Sequence, residues 1–570
     1  MTLTESRPSD ELTGGCRVTV LSDRCAGCQE CLVRCPTGAI GIDPERWVVV
    51  ADDRACVGCR QCERTCPFSA IKVHGAAITT ERRPVRLSHP ADLFGDTSEI
   101  RRGFASLGEA MAEASRCLNC PDPTCVRGCP AHNNIPAFVE AVAAGDLHGA
   151  YGILRATTVM PDVCSRVCDQ STQCEGACSW SLAGAMPVAI GALERFVADS
   201  VGTPPLEVDS SMGEGMSIGI VGSGPAGMGA AFELLAAGAD VTVYEADDHP
   251  GGLLRWGIPD FTLPAAVAER PWSTLLEAGA KLRCGVTISA GSLDDLASRH
   301  DAVIVAHGAG VALSLAVPGA DLPGVEDATG FLHRAKNALD DGGRLDDLIG
   351  RQGQVATVLV LGAGNTAMDV ARSAVRLGAR AVCVDWMDRR FAPVRPDELA
   401  EAESEGVEVR FSTTLTRLEA GEGGRVGHAV LGRTTQKEAG VRPEIIKGAE
   451  STVEVDLVIA AMGYRNDPEF VAALPGTPVR KVTDGVADRR WQASGILSDR
   501  RSTFAHGRPV GRMALGREVT LADSAHPYRE RTWVAGDALA GPSTVVEAMA
   551  QGRRAAQAIL DHHPRRPAQA

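Results

Sequence analysis

Residues 217–245 read SIGIVGSGPAGMGAAFELLAAGADVTVYE, and the order of elements in that stretch organises everything around it. Ser217 to Val221 is a short apolar strand, Gly222-Ser223-Gly224-Pro225-Ala226-Gly227 a turn, Met228 to Ala237 a helix, and Val241 to Tyr244 a second strand ending in Glu245. A lone glycine pattern says little. Strand, turn, helix and an acid about 20 residues on together form a dinucleotide fingerprint. The glycines permit the tight turn and close approach of the backbone, the helix N-terminus faces a pyrophosphate, and the acid takes ribose hydroxyls. Gly222, Gly224, Gly227 and Glu245 are the candidate binding residues.

The pattern recurs at residues 358–385, VLVLGAGNTAMDVARSAVRLGARAVCVD. Here Gly362, Gly364, Asn365 and Ala367 occupy the loop, a helix runs through Arg376, and Ala381 to Asp385 is the following strand. Apolar segments return afterwards, at Asp456 to Gly463 and at Thr532 to Gly536-Asp537. This order predicts two nested α/β Rossmann-like domains, the second inserted in the first. Two dinucleotides, one bound tightly and one exchanged, is the economical reading.

Upstream lie sixteen of the chain's 19 cysteines, in four groups of four. The first two groups are Cys25, Cys28, Cys31, Cys35-Pro36 and Cys56, Cys59, Cys62, Cys66-Pro67, the spacing by which bacterial-type ferredoxins hold two 4Fe-4S cubes. Three thiolates in one short loop reach three irons of one cube, and the fourth crosses to the other. Cys25, Cys28, Cys31 and Cys66 therefore form one ligand set, and Cys56, Cys59, Cys62 and Cys35 its partner. Zinc has no use for a third cysteine at the same step, and a disulfide framework would need an oxidising compartment. The polar stretch Met1 to Gly15 has no apolar core of a secretory signal.

The other two groups are Cys117, Cys120, Cys125, Cys129-Pro130 and Cys164, Cys168, Cys174, Cys178. They flank a stretch of helical periodicity from Ile135 to Arg155, and by spacing alone they fit either Fe-S clusters or structural zinc. The expected organisation is an α+β ferredoxin-like 2[4Fe-4S] domain at 16–75, a linker at 76–104 and an α-helical Fe-S domain at 105–200. The first nucleotide domain spans 217–335 and 466–560, with the second at 336–465.

With 570 residues the chain has room for several cores. Its net charge of −15, without a basic block, argues against nucleic acid, and no apolar run approaches the length of a membrane span. A soluble cytoplasmic protein without membrane insertion is expected, and oligomerisation is left open. Cys16, Cys284 and Cys383 lack partners at ligand spacing and read as ordinary thiols.

From about Ala105 to Ala556 the chain resembles the small (beta) subunit of bacterial glutamate synthase and the flavin half of dihydropyrimidine dehydrogenase. The matching motifs are Cys129-Pro-Ala-His-Asn-Asn-Ile-Pro136, Cys174-Glu-Gly-Ala-Cys178, Gly251-Gly252-Leu-Leu-Arg-Trp-Gly-Ile-Pro259, Pro318 to Gly324, and Gly536-Asp537 through Glu547 to Arg553. The resemblance implies that the first loop binds FAD, with Gly252, Gly536 and Asp537 contributing, and that the second binds NAD(P)H. It implies a cluster on Cys117, Cys120, Cys125 and Cys178, and another on Cys129, Cys168, Cys174 and Glu194, four clusters in all. The plainer reading of Glu194 is a solvent-facing helix acid.

Relatives usually carry an aromatic residue and two arginines for the 2'-phosphate of NADPH, whereas this chain has Asp385-Trp386-Met387-Asp388, with Arg389 and Arg390 afterwards. Acids there favour free ribose hydroxyls and hence NADH, whereas the resemblance implies NADPH, and the nucleotide is left as NAD(P)H. The Arg-rich stretch 487–530 has no counterpart in the resemblance. The expected function is an iron-sulfur flavoprotein oxidoreductase passing electrons between NAD(P)H and a ferredoxin-like carrier. The alternative is an electron-input subunit of the glutamate synthase small-subunit type, inactive without a larger catalytic subunit. Neither calls for a side-chain acid or base as a catalytic residue.

Overall fold

Strands Ser217–Val221, Ala302–Val305, Thr357–Leu361 and Leu457–Ala460 are apolar and almost wholly buried, and a strand covered on both faces belongs in a parallel sheet. The computed structural model describes residues 15–88, 90, 92–209, 212–345, 355–473, 512–514, 517–519 and 531–562. These fall into two units, one of Met1–Val85, Gly103–Leu154 and Gln170–Ser200, the other of Arg86–Arg102, Arg155–Asp169 and Val201–Ala570. The stretch expected as a linker, 76–104, is divided between them after Val85 and again after Arg102. Most of the stretch 487–530 lies outside the described residues.

In the first unit each cysteine loop leads into a short helix, Glu30–Val33 or Gln61–Thr65, and the residue before each helix is left-handed: Gln29 at φ 62 and Arg60 at φ 58. The sequence repeat is thus also a backbone repeat. Strand Arg17–Val20 pairs antiparallel with Ile71–His74, and Ile40–Ile42 with Val49–Ala51. Ala39, Ile40, Ala70 and Ile71 are buried against the loops.

Helix Leu107–Ala114 follows, its first turn capped by Ser106, whose Oγ accepts from the Glu109 amide at 3.3 Å. The stretch of helical periodicity from Ile135 to Arg155 forms two helices, Ile135–Ala143 and Leu147–Arg155. Gly145, at φ 79, ends the first in the left-handed conformation that terminates helices. Buried Arg116 ties distant segments together: it donates to Glu113 at 2.6 Å, to the Thr80 carbonyl at 3.0 Å and to the Met186 carbonyl at 2.7 Å. Glu113 also accepts the amides of Arg83 at 2.7 Å and Ala189 at 2.9 Å. The chain leaving the cysteine-rich strands is thereby fixed to the helices that follow.

The second unit is built on two five-stranded parallel sheets. The first has spatial order Thr532–Val534, Ala302–Val305, Ser217–Val221, Asp240–Tyr244, Lys281–Arg283. The second runs Val325–Asp327, Leu457–Ala460, Thr357–Leu361, Arg380–Val384, Glu408–Arg410. In both, the strand before the glycine loop is central and the chain order reverses beside it, which opens a crevice at the strand ends. The last strand of the first sheet, Thr532–Val534, comes from beyond the whole second sheet. An antiparallel sheet of Thr413–Ala420, Val426–Thr435 and Glu444–Glu454 lies in the chain between the last two strands to join the second sheet.

A buried ion network holds the second sheet's helices. Arg372 and Arg376 on helix Asn365–Arg376 are fully buried. Glu405 accepts from Arg372 at 3.0 Å and from Arg376 at 2.7 Å, while Glu398 takes a further hydrogen bond from Arg372 at 3.0 Å. Phe261 stacks under both guanidiniums, 4.6 and 3.8 Å from its ring centre. Arg101 reaches the same acids, pairing with Glu401 at 2.9 Å and Asp397 at 2.9 Å. Burial pushes the Glu405 carboxyl up, but the hydrogen bonds from Arg376 and Arg372 outweigh it and hold it below the usual carboxylate range.

Breaking such a network from one side leaves buried charges uncompensated. Glu405→Gln should cost roughly 3–5 kcal/mol in chemical denaturation. Because the Glu405 value is lowered on folding, its contribution is complete above the ordinary glutamate range and disappears as the pH falls through the lowered value. The gap between the natural chain and Glu405→Gln should therefore close in acid.

Candidate functional site

The cysteine loops of the first unit bring their thiols together in crossed sets. Burial pushes the Cys31 thiol up to about 11, and its charged neighbours are the thiols of Cys66, Cys28 and Cys25. Burial likewise raises Cys62 to about 12, with Cys59, Cys35 and Cys56 as neighbours. Cys66 thus stands with the first loop and Cys35 with the second. Cys16 belongs to neither set: its Sγ donates to the Ala76 carbonyl at 2.8 Å.

Cys117, Cys120, Cys125 and Cys178 line one cavity of about 410 Å3, walled by apolar side chains including Val139 and Trp180. Burial, followed by the thiols of Cys178, Cys117 and Cys120, pushes the Cys125 thiol far up. Four thiols facing one void cannot all ionise without a cation among them. Among the described residues no three His, Cys, Asp or Glu side chains converge as donors to a single ion must. Thiols spread around a void suit a cube with an iron at each corner rather than a lone zinc. The remaining expected ligands are divided, with Cys129, Cys174 and Glu194 in the first unit and Cys168 in the second.

The two glycine loops of the second unit are built alike. The Gly222 amide donates to the Tyr244 carbonyl at 2.8 Å and the Gly362 amide to the Val384 carbonyl at 2.8 Å. Gly222 has φ 101 and Gly362 φ 115, and a Cβ would stand 2.5 Å from the Ala306 carbonyl oxygen in one and 2.6 Å from that of Ala461 in the other. Only glycine fits either position. Gly224 and Gly364, by contrast, face open space, each preceding a twelve-residue helix that no side chain caps. A free helix N-terminus behind a bare backbone is a fitting cradle for pyrophosphate. The loops differ at their last position: a Cβ on Gly227 would strike the Gly222 carbonyl oxygen, whereas Ala367 is accommodated.

An acid braces each loop. Glu245 accepts the Ser223 amide at 3.0 Å and the Asp247 amide at 2.9 Å, and also binds the Ser223 hydroxyl. Asp385 accepts the Ala363 amide at 2.9 Å and the Met387 amide at 2.7 Å. Burial pushes Asp385 up to about 6 despite these donors.

Around the first loop, a Cβ on Gly252 would stand 3.2 Å from the Gly224 Cα, and Gly536 backs onto Ala226 at the start of the loop's helix. Asp537 accepts from the Ser543 hydroxyl at 2.5 Å. In the Gly251 to Pro259 motif, the buried Arg255 Nε and Trp256 Nε1 have no protein partner, as a site shaped for a polar ligand requires. Around the second loop, the Asn365 side-chain oxygen accepts the Arg395 amide at 3.0 Å. Arg389 and Arg390 do not reach the loop unpaired: Arg389 is held by Glu403 through two 2.8 Å hydrogen bonds, and Arg390 by Asp388 at 2.8 and 3.0 Å.

Sequence reasoning passed over Phe261 and its two arginines, and the polar pair Gln61 and Ser179, which bond across the first unit at 2.7 Å. The arginines had a signal. Arg372 and Arg376 are four apart, and Glu398, Glu401 and Glu405 follow at three and four, one face of each helix. Nothing in the sequence pairs Gln61 with Ser179.

Family models match three parts of the chain: a 4Fe-4S dicluster domain at residues 24–70, the dihydropyrimidine dehydrogenase domain II with its 4Fe-4S cluster at 94–204, and a pyridine nucleotide-disulphide oxidoreductase at 216–488. The small chain of glutamate synthase [NADPH] from Azospirillum brasilense is 34% identical over 85% of this chain and 95% of its own. The chain belongs to the glutamate synthase small-chain family. The corresponding small chain of Escherichia coli is 31% identical over 81% of this chain and 93% of its own. Among solved structures, Mycobacterium tuberculosis FprA in complex with NADPH aligns with a TM-score of 0.43 at 21% identity, over 61% of this chain and 85% of that one. This family member is a multidomain oxidoreductase with iron-sulfur domains ahead of a Rossmann-like flavoprotein fold. Among the described residues no helix is long and apolar enough to cross a membrane.

Cys125→Ser should lose roughly four irons per chain, the content of one cube. Cys16→Ser, at a thiol bonded to a carbonyl, should lose none. Iron and sulfide analysis of the two purified variants decides the matter.

Proposed function

We propose that the protein passes electrons between NAD(P)H and a ferredoxin-like carrier or a larger catalytic subunit, using FAD and four 4Fe-4S clusters. The observation that carries this reading is the doubled nucleotide site, two uncapped helix N-termini behind Gly224 and Gly364 in one unit. A flavoprotein that exchanges a nicotinamide nucleotide needs two such sites, and a structural or iron-sensing protein needs none.

FAD belongs to the loop of Gly222, Gly224 and Gly227, with Glu245 on its ribose and Gly252, Gly536 and Asp537 lining its path. The nucleotide belongs to the loop of Gly362, Gly364, Asn365 and Ala367. FAD held by the Gly222 loop would supply the chemistry of accepting a hydride and of one-electron release. The protein's part is placement. The loop amides and helix N-termini fix the two pyrophosphates, and the braced carboxylates set the two riboses. Cys129, Cys168, Cys174 and Glu194 are the proposed ligands of the cluster completing the four. The nested arrangement of the two nucleotide domains is supported by the strand Thr532–Val534, which returns to the first sheet.

Asp385 sets the nucleotide preference towards NADH. Each of its carboxylate oxygens accepts one amide and keeps a lone pair for a ribose hydroxyl, and its charge repels a 2'-phosphate. Arg389 and Arg390, already paired with Glu403 and Asp388, are not free to neutralise such a phosphate. The relatives' names specify NADPH, and the difference lies in these acids.

Anaerobic titration with either nucleotide, following flavin absorbance and the broad Fe-S band together, tests the reading. NADH should bleach both bands at kcat/KM at least tenfold above NADPH, as expected for about 1.4 kcal/mol of discrimination. Asp385 is charged above about pH 6 and neutral below, so the preference should shrink as the pH falls through that value. If neither nucleotide bleaches the flavin while dithionite does, the forward direction is wrong.

A further inference from the structure

Four cysteine sets in one chain leave open which of them meet. Within the first unit the structure answers this for the sets on Cys117, Cys120, Cys125 and Cys178 and on the ferredoxin loops. Gln61 lies between Cys59 and Cys62 and is 5% exposed; Ser179 follows Cys178 and is 3% exposed. Gln61 Nε2 donates to Ser179 Oγ at 2.7 Å, and Ser179 Oγ stands 3.5 Å from Cys120 Sγ. Because the serine oxygen already accepts from Gln61, its own hydrogen is available to the sulfur. At the other end the Gln61 amide faces the Cys59 thiol. Two hydrogen bonds therefore connect Cys120 Sγ through Ser179 to the Gln61 side chain, and Gln61 is joined covalently, through Arg60, to Cys59. Cys59 also has Cys120 among its charged neighbours.

The other ferredoxin set faces away. Cys28 is exposed, and Trp47, 55% exposed, lies against Gly27 beside it. Cys31 of this set is buried, as are Cys59 and Cys62 of the other, so Cys28 is the thiol of the two sets that stands exposed.

We propose that Gln61 and Ser179 form the electron junction between the helical Fe-S part and the ferredoxin part, with the set Cys35, Cys56, Cys59 and Cys62 facing inward and the set Cys25, Cys28, Cys31 and Cys66 facing the external partner. The inference rests on the reading of the thiol sets as 4Fe-4S sites. One electron leaves the inner group and one arrives at its neighbour, and no bond or proton is exchanged. Gln61 and Ser179 are positioning residues: their donors favour the more negative, reduced state of the thiolate groups they touch and so raise the potentials. Their bridge also shortens the through-space part of the route.

The test is an EPR-monitored redox titration of the full-length, cluster-loaded protein, reduced chemically with mediators rather than by nucleotide, for the natural chain, Ser179→Ala, Gln61→Leu and Ser179→Thr. Cys28→Ser marks the outward cluster's signal. Ser179→Ala should move the cluster of Cys117, Cys120, Cys125 and Cys178 to more negative potential, and Gln61→Leu should slow electron equilibration between the inner clusters several-fold. The outward signal should stay unmoved in both, and Ser179→Thr, which keeps the hydroxyl, should restore the natural values. Loaded variants with every potential and equilibration rate unchanged overturn the proposal, as does a shift confined to the signal marked by Cys28→Ser. Failure of NADH and NADPH to reduce a protein that passes this test counts against the proposed function alone.

Discussion

In each parallel sheet a buried carboxylate at the end of the second strand accepts the amide of the residue between the first two loop glycines. Glu245 does so for Ser223 and Asp385 for Ala363. The glycine turn has no side chains of its own to hold it, and its amides must remain available at the helix N-terminus beyond. The acid therefore fixes the turn from behind, and in the proposed function its remaining lone pairs would take ribose hydroxyls. One group thus serves both the fold and the ligand. The longer Glu245 and shorter Asp385 give the two sites different reach at the same point of the same architecture.

The first unit meets a different electrostatic problem. Its thiols are gathered in sets, and at Cys31, Cys62 and Cys125 burial together with neighbouring sulfur pushes the thiol well above its ordinary value. Such sets are stable as thiolates only around cations, so the cysteine loops and the metal they suit specify one another. The Glu113 and Arg116 pair binds the segments that carry these loops and the helices behind them. Buried polar groups thereby set the placement of the segments that carry the thiols.

The ion network of Arg101, Arg372, Arg376 and their acids plays the corresponding part in the second unit. Phe261, only two residues past the Gly251 to Pro259 motif, lies under the guanidiniums of the second loop's helix. Lys336, on helix Ala328–Asp340, pairs with Asp260, and a cavity of about 330 Å3 opens beside them between Trp256 and Leu332. The segment that frames the first nucleotide site is therefore pinned to the elements that carry the second, as a donor and acceptor that must be held in register require.

The strands, glycine turns and cysteine loops could be read from the chain because each is a local pattern: a run of apolar residues, a glycine where no Cβ fits, a thiol at every third step. Asp385 was legible for the same reason, standing a fixed distance beyond its loop. The helical periodicity from Ile135 to Arg155 was legible, but not the break at Gly145, since periodicity does not register a single left-handed residue. The pairing of Arg389 with Glu403, of Arg101 with Glu401 across 300 positions, and of Gln61 with Ser179 across 118 was not legible. Sequence by itself determined which chemistry the chain carries, because ligand type and spacing are local. Only the tertiary structure decided which arginines are already spent and which cysteine set meets which, because those depend on distances between segments that no local spacing encodes.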